Sequence, residues 1–179
     1  MPFDRGPMTF QACKLPKPLP DDALDRFAAK AAGSLDSVRD EAQLGWVSGR
    51  HLLERRIDEE TAYVGGFLHL SLRRAERKIP AALLRAECRM TELAAMAERQ
   101  SDSLHRKERR AIREEVTARL LPEMPPQLSG TPFVVDAAAD RVFVGTASLR
   151  QLDVFLATFQ QCIGFEPVPL TPGLIAEES

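Results

Sequence analysis

Long apolar runs are missing from this chain, and so are paired cysteines, clustered histidines and a rich supply of aromatic residues. No stretch approaches the ~18 consecutive apolar residues of a membrane-spanning helix, so no membrane association is expected. Cys13, Cys88 and Cys162 are odd in number, far apart and form no CxxC pair, which argues against a disulfide framework or a thiolate zinc site. His51, His69 and His105 are equally scattered, and none has a second histidine three or four residues along to make a metal-binding helix face. A GxSxG elbow, a P-loop and a dinucleotide glycine pattern are all absent. No cofactor, metal or small-molecule substrate is therefore expected. Met1–Pro7 shows no charged stretch running into an apolar one, so no signal peptide is read there and the expected location is the cytoplasm.

What is present is the composition of a globular protein, with 44% apolar and 28% charged residues over 179 positions. That length buries a core without staples. The net charge of −2 argues by itself against a nucleic-acid partner, but its distribution points the other way. Between Leu70 and Leu120 there are 13 Lys/Arg against 8 Asp/Glu, and the remainder carries 11 against 18. A basic segment inside an acidic chain is the sharper signal.

Met8–Leu15 alternates as a strand and is followed by Pro16, Pro18 and Pro20. Asp21 or Asp22 suits the cap of a helix with Leu24, Phe27, Ala28 and Ala31 on one face, ending near Gly33. A short strand or turn is read at Leu44–Val47, and a longer strand over Thr61–Leu72 with a bulge at Gly65-Gly66. Pro80 fits the first position of a helix whose Leu83, Ala86, Met90, Leu93 and Ala97 form one apolar stripe, expected to pack on a second helix. Ser101-Asp102-Ser103 recaps the chain, and Ile112, Val116 and Leu120 are the stripe of that second helix, about Leu104–Leu121. After Pro122, Pro125 and Pro126, two strands over Pro132–Ala138 and Arg141–Thr146 make a hairpin. Ser148 and Gln151 open a helix that Gly164 closes, Phe165–Leu170 reads as a last strand and Thr171–Ser179 as a frayed tail. The class is α+β: a mixed sheet with packed helices and a protruding antiparallel helical hairpin. Residues 1–79 and 122–179 are expected to form the core, and 80–121 the hairpin.

Two basic clusters flank the hairpin: Arg73, Arg74, Arg77 and Lys78 before Pro80, and Arg106, Lys107, Arg109, Arg110 and Arg113 at the start of its second helix. Guanidinium groups stay charged and donate in a rigid fork, which suits phosphates. Cations near a helix N-terminus also oppose the macrodipole, a conflict that a bound phosphate relieves. A solvated or partner-binding face is the competing explanation of the same charge. No zinc-finger spacing, RNP-type aromatic strand or helix-turn-helix is present, so any binding is expected to follow the DNA backbone, without sequence preference and with steep salt dependence. Glu76-Arg77-Lys78 has the ExK spacing that, with an acid such as Asp21, occurs in metal-dependent nucleases. That pattern is frequent by chance in charged chains, and the expectation is a non-enzyme.

One resemblance joins these segments. Gly45-Trp46-Val47, a strand entering Arg73-Arg74-Ala75-Glu76-Arg77-Lys78-Ile79-Pro80, and the charged helical pair ending at Leu120-Leu121-Pro122 resemble the recombination-associated protein RdgC family. Phe133–Asp136, Val142–Val144 and Pro167–Leu170 continue the match, which covers roughly Met8 to Leu170. The resemblance implies a dimer whose ring passes duplex DNA without sequence selection, association with the nucleoid, and restraint of RecA-mediated strand exchange by occupying DNA. The basic positions named above are those it assigns to DNA. This chain departs from the family after Leu121-Pro122, where Glu123–Gln127 holds neither arginine nor phenylalanine. The alternative reading keeps the fold but makes it a protein-interaction module, with the Leu83–Ala97 stripe as its interface.

Overall fold

A computed structural model describes residues 9–170; the frayed tail read over Thr171–Ser179 and the stretch Met1–Pro7, in which no signal peptide is read, lie outside them. In chain order the elements are β1 (Gln11–Lys14), α1 (Ala23–Ala29), β2 (Gln43–Ser48), α2 (Glu59–Ala62), β3 (Tyr63–Val64), β4 (Phe67–Glu76), α3 (Ala81–Glu98), α4 (Arg106–Leu120), β5 (Gln127–Asp136), β6 (Arg141–Val144), α5 (Leu149–Ile163) and β7 (Val168–Pro169). The fold is α+β. Its sheet runs β2-β4-β5-β6-β1-β7, with β3 paired to β4. The ladders β1–β6, β1–β7, β3–β4 and β5–β6 are antiparallel, and the parallel component is one isolated bridge between Ala31 and Trp46.

The chain divides into two compact units, one holding residues 1–33, 43–74 and 128–179 and the other residues 34–42 and 75–127. In the first unit α1 and α5 lay their apolar faces on the sheet. The few aromatics are concentrated here: Phe27, Trp46, Phe133, Phe155 and Phe159 interlock with centroid separations of 5.0–6.2 Å, mostly edge-to-face or tilted, as ring quadrupoles favour. Arg26 Nη1 donates to the Ile163 carbonyl at 3.0 Å and Lys30 Nζ to that of Gln161. A cation of α1 and one at its C-cap thus satisfy carbonyls that the last turn of α5 leaves without helical partners.

Several local readings hold. Ser148 Oγ accepts from Gln151 N–H at the start of α5, and Gly164 ends it at φ 97°. The pair does not close a reciprocal box, because the Ser148 N–H goes to Thr146 Oγ1 and Thr146 donates to Gln151 Oε1. Between β5 and β6 the Asp136 carboxylate accepts from Ala138 and Ala139 N–H, which turns the chain at the expected place.

Two readings are corrected. Thr61–Leu72 is not one bulged strand: α2 and β3 precede a two-residue turn, with Gly65 at φ 59° and Gly66 at φ 87°. Positive φ at both central positions matches the right-handed twist of a hairpin, so the glycines make a turn rather than a bulge. In the second unit, α3 packs on α4 through Leu84, Cys88, Ala95 and Met96 against Leu104, Ile112, Val116 and Leu120. The stripe expected to do this instead faces outward, with Leu83 37%, Met90 68% and Leu93 48% exposed. Among the described residues no helix is long and apolar enough to cross a membrane.

Candidate nucleic-acid interface

The basic run before Pro80 is divided by strand geometry. Successive residues of β4 point to opposite faces, so Leu68, Leu70 and Leu72 enter the core while His69, Ser71 and Arg73 form a buried polar row behind it. Arg73 is 2% exposed and donates to the carbonyls of Gly33 and Leu52. Among the described residues no carboxylate pairs with it; burial, with Arg55 nearby, pushes its pKa below the ordinary guanidinium value. Arg74 is exposed and already engaged, and Lys78 is exposed. Arg77 fastens the second unit together: Nε donates to the Val38 carbonyl at 2.9 Å and Nη1 to those of Pro122 and Met124. The segment 34–42, which no periodicity assigned to this unit, is held in part by that arginine. Arg73 and Arg77 therefore leave the set of cations offered to a polyanion.

α4 keeps its cations in solvent. Arg106, Lys107, Arg109, Arg110 and Arg113 are all exposed. Arg110 is paired with Glu114 at 2.8 Å, which raises its pKa. The side chains of Arg106, Lys107, Arg109 and Arg113 enter no hydrogen bond or ion pair among the described residues. Helical spacing sets Arg106, Arg110 and Arg113 on one stripe about 10 Å long. Arg110 and Arg113 also line an open groove of about 650 Å³ with Asp40, Glu114 and Thr117.

The second unit as a whole carries twelve Lys/Arg and twelve Asp/Glu. The positive character is thus confined to the first two turns of α4, where five cations face only Glu108. That carboxylate is taken up locally: it accepts the His105 N–H at 2.8 Å and pairs with Arg99, and the backbone bond first, then Arg99, holds it below the usual glutamate range. A helix N-terminus already positive by its peptide dipoles is therefore left with four unbalanced cations, an arrangement that favours a polyanion. Glu76, the acid of the ExK pattern, joins no metal-binding group, since none of three or more His, Cys, Asp or Glu forms among the described residues.

These features define an α+β protein with an antiparallel sheet, a two-helix unit and a cationic helix end. The chain belongs to the RdgC family: the family model described as "Putative exonuclease, RdgC" matches residues 11–176. Among curated relatives, the "Recombination-associated protein RdgC" of Sodalis glossinidius (strain morsitans) is 28% identical over 152 residues, 84% of this chain and 47% of that protein. The protein of that name from Serratia proteamaculans (strain 568) is 31% identical over 155 residues, covering 83% and 46%. That from Yersinia enterocolitica is 30% identical over the same length. The chain spans about half the length of the curated relatives it matches.

Proposed function

We propose that this chain binds the DNA backbone without sequence preference, through the first two turns of α4, and takes part in recombination by occupying duplex DNA. The observation that carries the reading is the set of cations Arg106, Lys107, Arg109 and Arg113 at a helix N-terminus, exposed and, among the described residues, unpaired. The names of its relatives place the family in recombination, and nucleoid association in the cytoplasm and modulation of RecA-type strand exchange are the corresponding roles. The protein performs no chemistry in this reading. Lys78, in the same unit as α4, remains accessible as a secondary contact.

Fluorescence anisotropy with unrelated duplexes over a salt series tests it. Backbone binding gives similar affinities for all sequences and a steep negative log–log slope, reduced by about one for each phosphate contact removed. Alanine at Arg106, Lys107, Arg109 and Arg113 flattens that slope; absence of binding at low salt overturns the proposal. A Mg²⁺-dependent cleavage lost in Glu76→Ala would overturn its non-enzymatic part. A second reading, a protein-interaction module of the same fold, is favoured by one observation: the apolar stripe of α3 that faces solvent.

A further inference from the structure

The polar row behind β4 holds a charge that its surroundings leave uncompensated. Arg73 is 2% exposed, and Ser71, two residues earlier on the same face, is buried as well. Residues 49–57 cover this row. At Gly130 of β5 a Cβ would fall 2.3 Å from Leu52 Cδ2 and 2.9 Å from Ser71 Oγ, so the glycine lets the cover sit close. Arg73 Nη2 donates to the Gly33 carbonyl at 2.5 Å and Nη1 to that of Leu52 at 3.4 Å. Its Nε has no partner among the described residues. Carbonyl dipoles satisfy N–H groups but carry no net charge. A guanidinium withdrawn from water calls for an opposite charge, because it does not escape by losing its proton.

The nearby carboxylates are committed elsewhere. Glu54 Oε1 accepts the Arg56 N–H at 3.1 Å, Asp58 caps α2 and pairs with Arg56, and Glu60 pairs with Arg56 too. What approaches Arg73 instead is a second cation. Burial lowers the Arg73 pKa first, and Arg55 lowers it further. Arg55 is exposed, so it meets the row from the solvent side, and its side chain enters no hydrogen bond or ion pair among the described residues. Two like charges beside a buried row repel, and an anion between them turns that repulsion into attraction. We propose that Arg73 and Arg55 hold a small inorganic anion, of chloride size, between their guanidinium groups. The close cover admits a single ion and excludes a polyanion, whose linked phosphates cannot follow one charge inward. The site belongs to the first unit and α4 to the second. The inference does not rest on DNA binding, and all its measurements are made without DNA.

Denaturant unfolding of the full chain is followed while chloride replaces gluconate, a bulky anion, at fixed ionic strength, so that general screening stays constant. Binding to the native state raises the folding constant with chloride, approaching about tenfold per tenfold of chloride once the site is filled. Arg55→Ala changes an exposed residue and removes the repulsion. It is expected to be at least as stable as the parent protein in gluconate and to lose the chloride dependence. Arg55→Glu supplies the missing carboxylate, so it is more stable than the parent in gluconate and indifferent to chloride. Alanine at Arg106, Lys107, Arg109 and Arg113 leaves the chloride dependence in place, which separates this site from ions gathered by α4. A folding constant that does not move with chloride overturns the proposal. So does a dependence that survives Arg55→Ala or vanishes with the α4 substitutions, or an Arg55→Glu variant less stable than the parent in gluconate.

Discussion

Arg119, in the last turn of α4, donates from Nη2 to Glu87 Oε2 in the second turn of α3 at 2.7 Å. The bond ties the two antiparallel helices beside their apolar seam and raises the arginine's pKa. Both partners are accessible to solvent, so screening limits its worth. A double-mutant cycle with Glu87→Ala and Arg119→Ala, read by denaturant unfolding, is expected to give a small coupling that shrinks further with added salt. A larger, salt-insensitive coupling would mean that the pair is more buried than its geometry shows.

Arg73 and the α4 cations separate stability from binding. Arg73→Ala leaves the Gly33 and Leu52 carbonyls without their donor in a buried row, and is expected to cost about 2 kcal/mol of stability. It should leave the salt slope of DNA binding unchanged. Replacement of Arg106, Lys107, Arg109 and Arg113 should do the reverse, with little change in unfolding midpoint. Measuring both quantities on both variants decides the assignment.

Glycine substitutions should divide by mechanism. A Cβ at Gly66 meets nothing within 4 Å, so Gly66→Ala carries only the cost of positive φ, about 1 kcal/mol. At Gly45 a Cβ would fall 2.4 Å from the Ala32 Cα, where the backbone of residues 30–32 bonds β2. Gly45→Ala is expected to lower the melting temperature more than Gly66→Ala does, because backbone rather than a pliable side chain has to move.

Acid should loosen the start of α4 first. Glu108 is held below its ordinary value by the His105 N–H and by Arg99, so folding favours its ionised form. That stabilisation is complete above the ordinary glutamate value of ~4.3 and is lost as pH falls through the lower folded-state value. Asp58, held down chiefly by the Thr61 N–H at the start of α2, follows the same sign. The protection factors of the amides in the first turn of α4, taken relative to intrinsic exchange at each pH, are expected to fall below about pH 4 and to stay constant over that range in Glu108→Gln. Protection factors that are flat in the parent protein over this range would contradict the cap.

The sequence by itself determined what depends on neighbours along the chain. The Ile112–Val116–Leu120 stripe places α4, Ser148 and Gly164 delimit α5, and Asp136 turns β5 into β6, since each signal lies within a few residues of its effect. The cationic start of α4 was legible for the same reason: a helix surface shows whatever its packing stripe does not use. Tertiary structure alone decided which apolar face of α3 packs. That helix has two, Leu84–Met96 and Leu83–Ala97, and apolar attraction has no direction, so the position of α4 makes the choice. It also decided that Arg73 and Arg77 turn inward. A charged residue on a strand reads as exposed until carbonyls such as those of Gly33, Leu52 and Val38, remote in sequence, are brought within reach of its guanidinium.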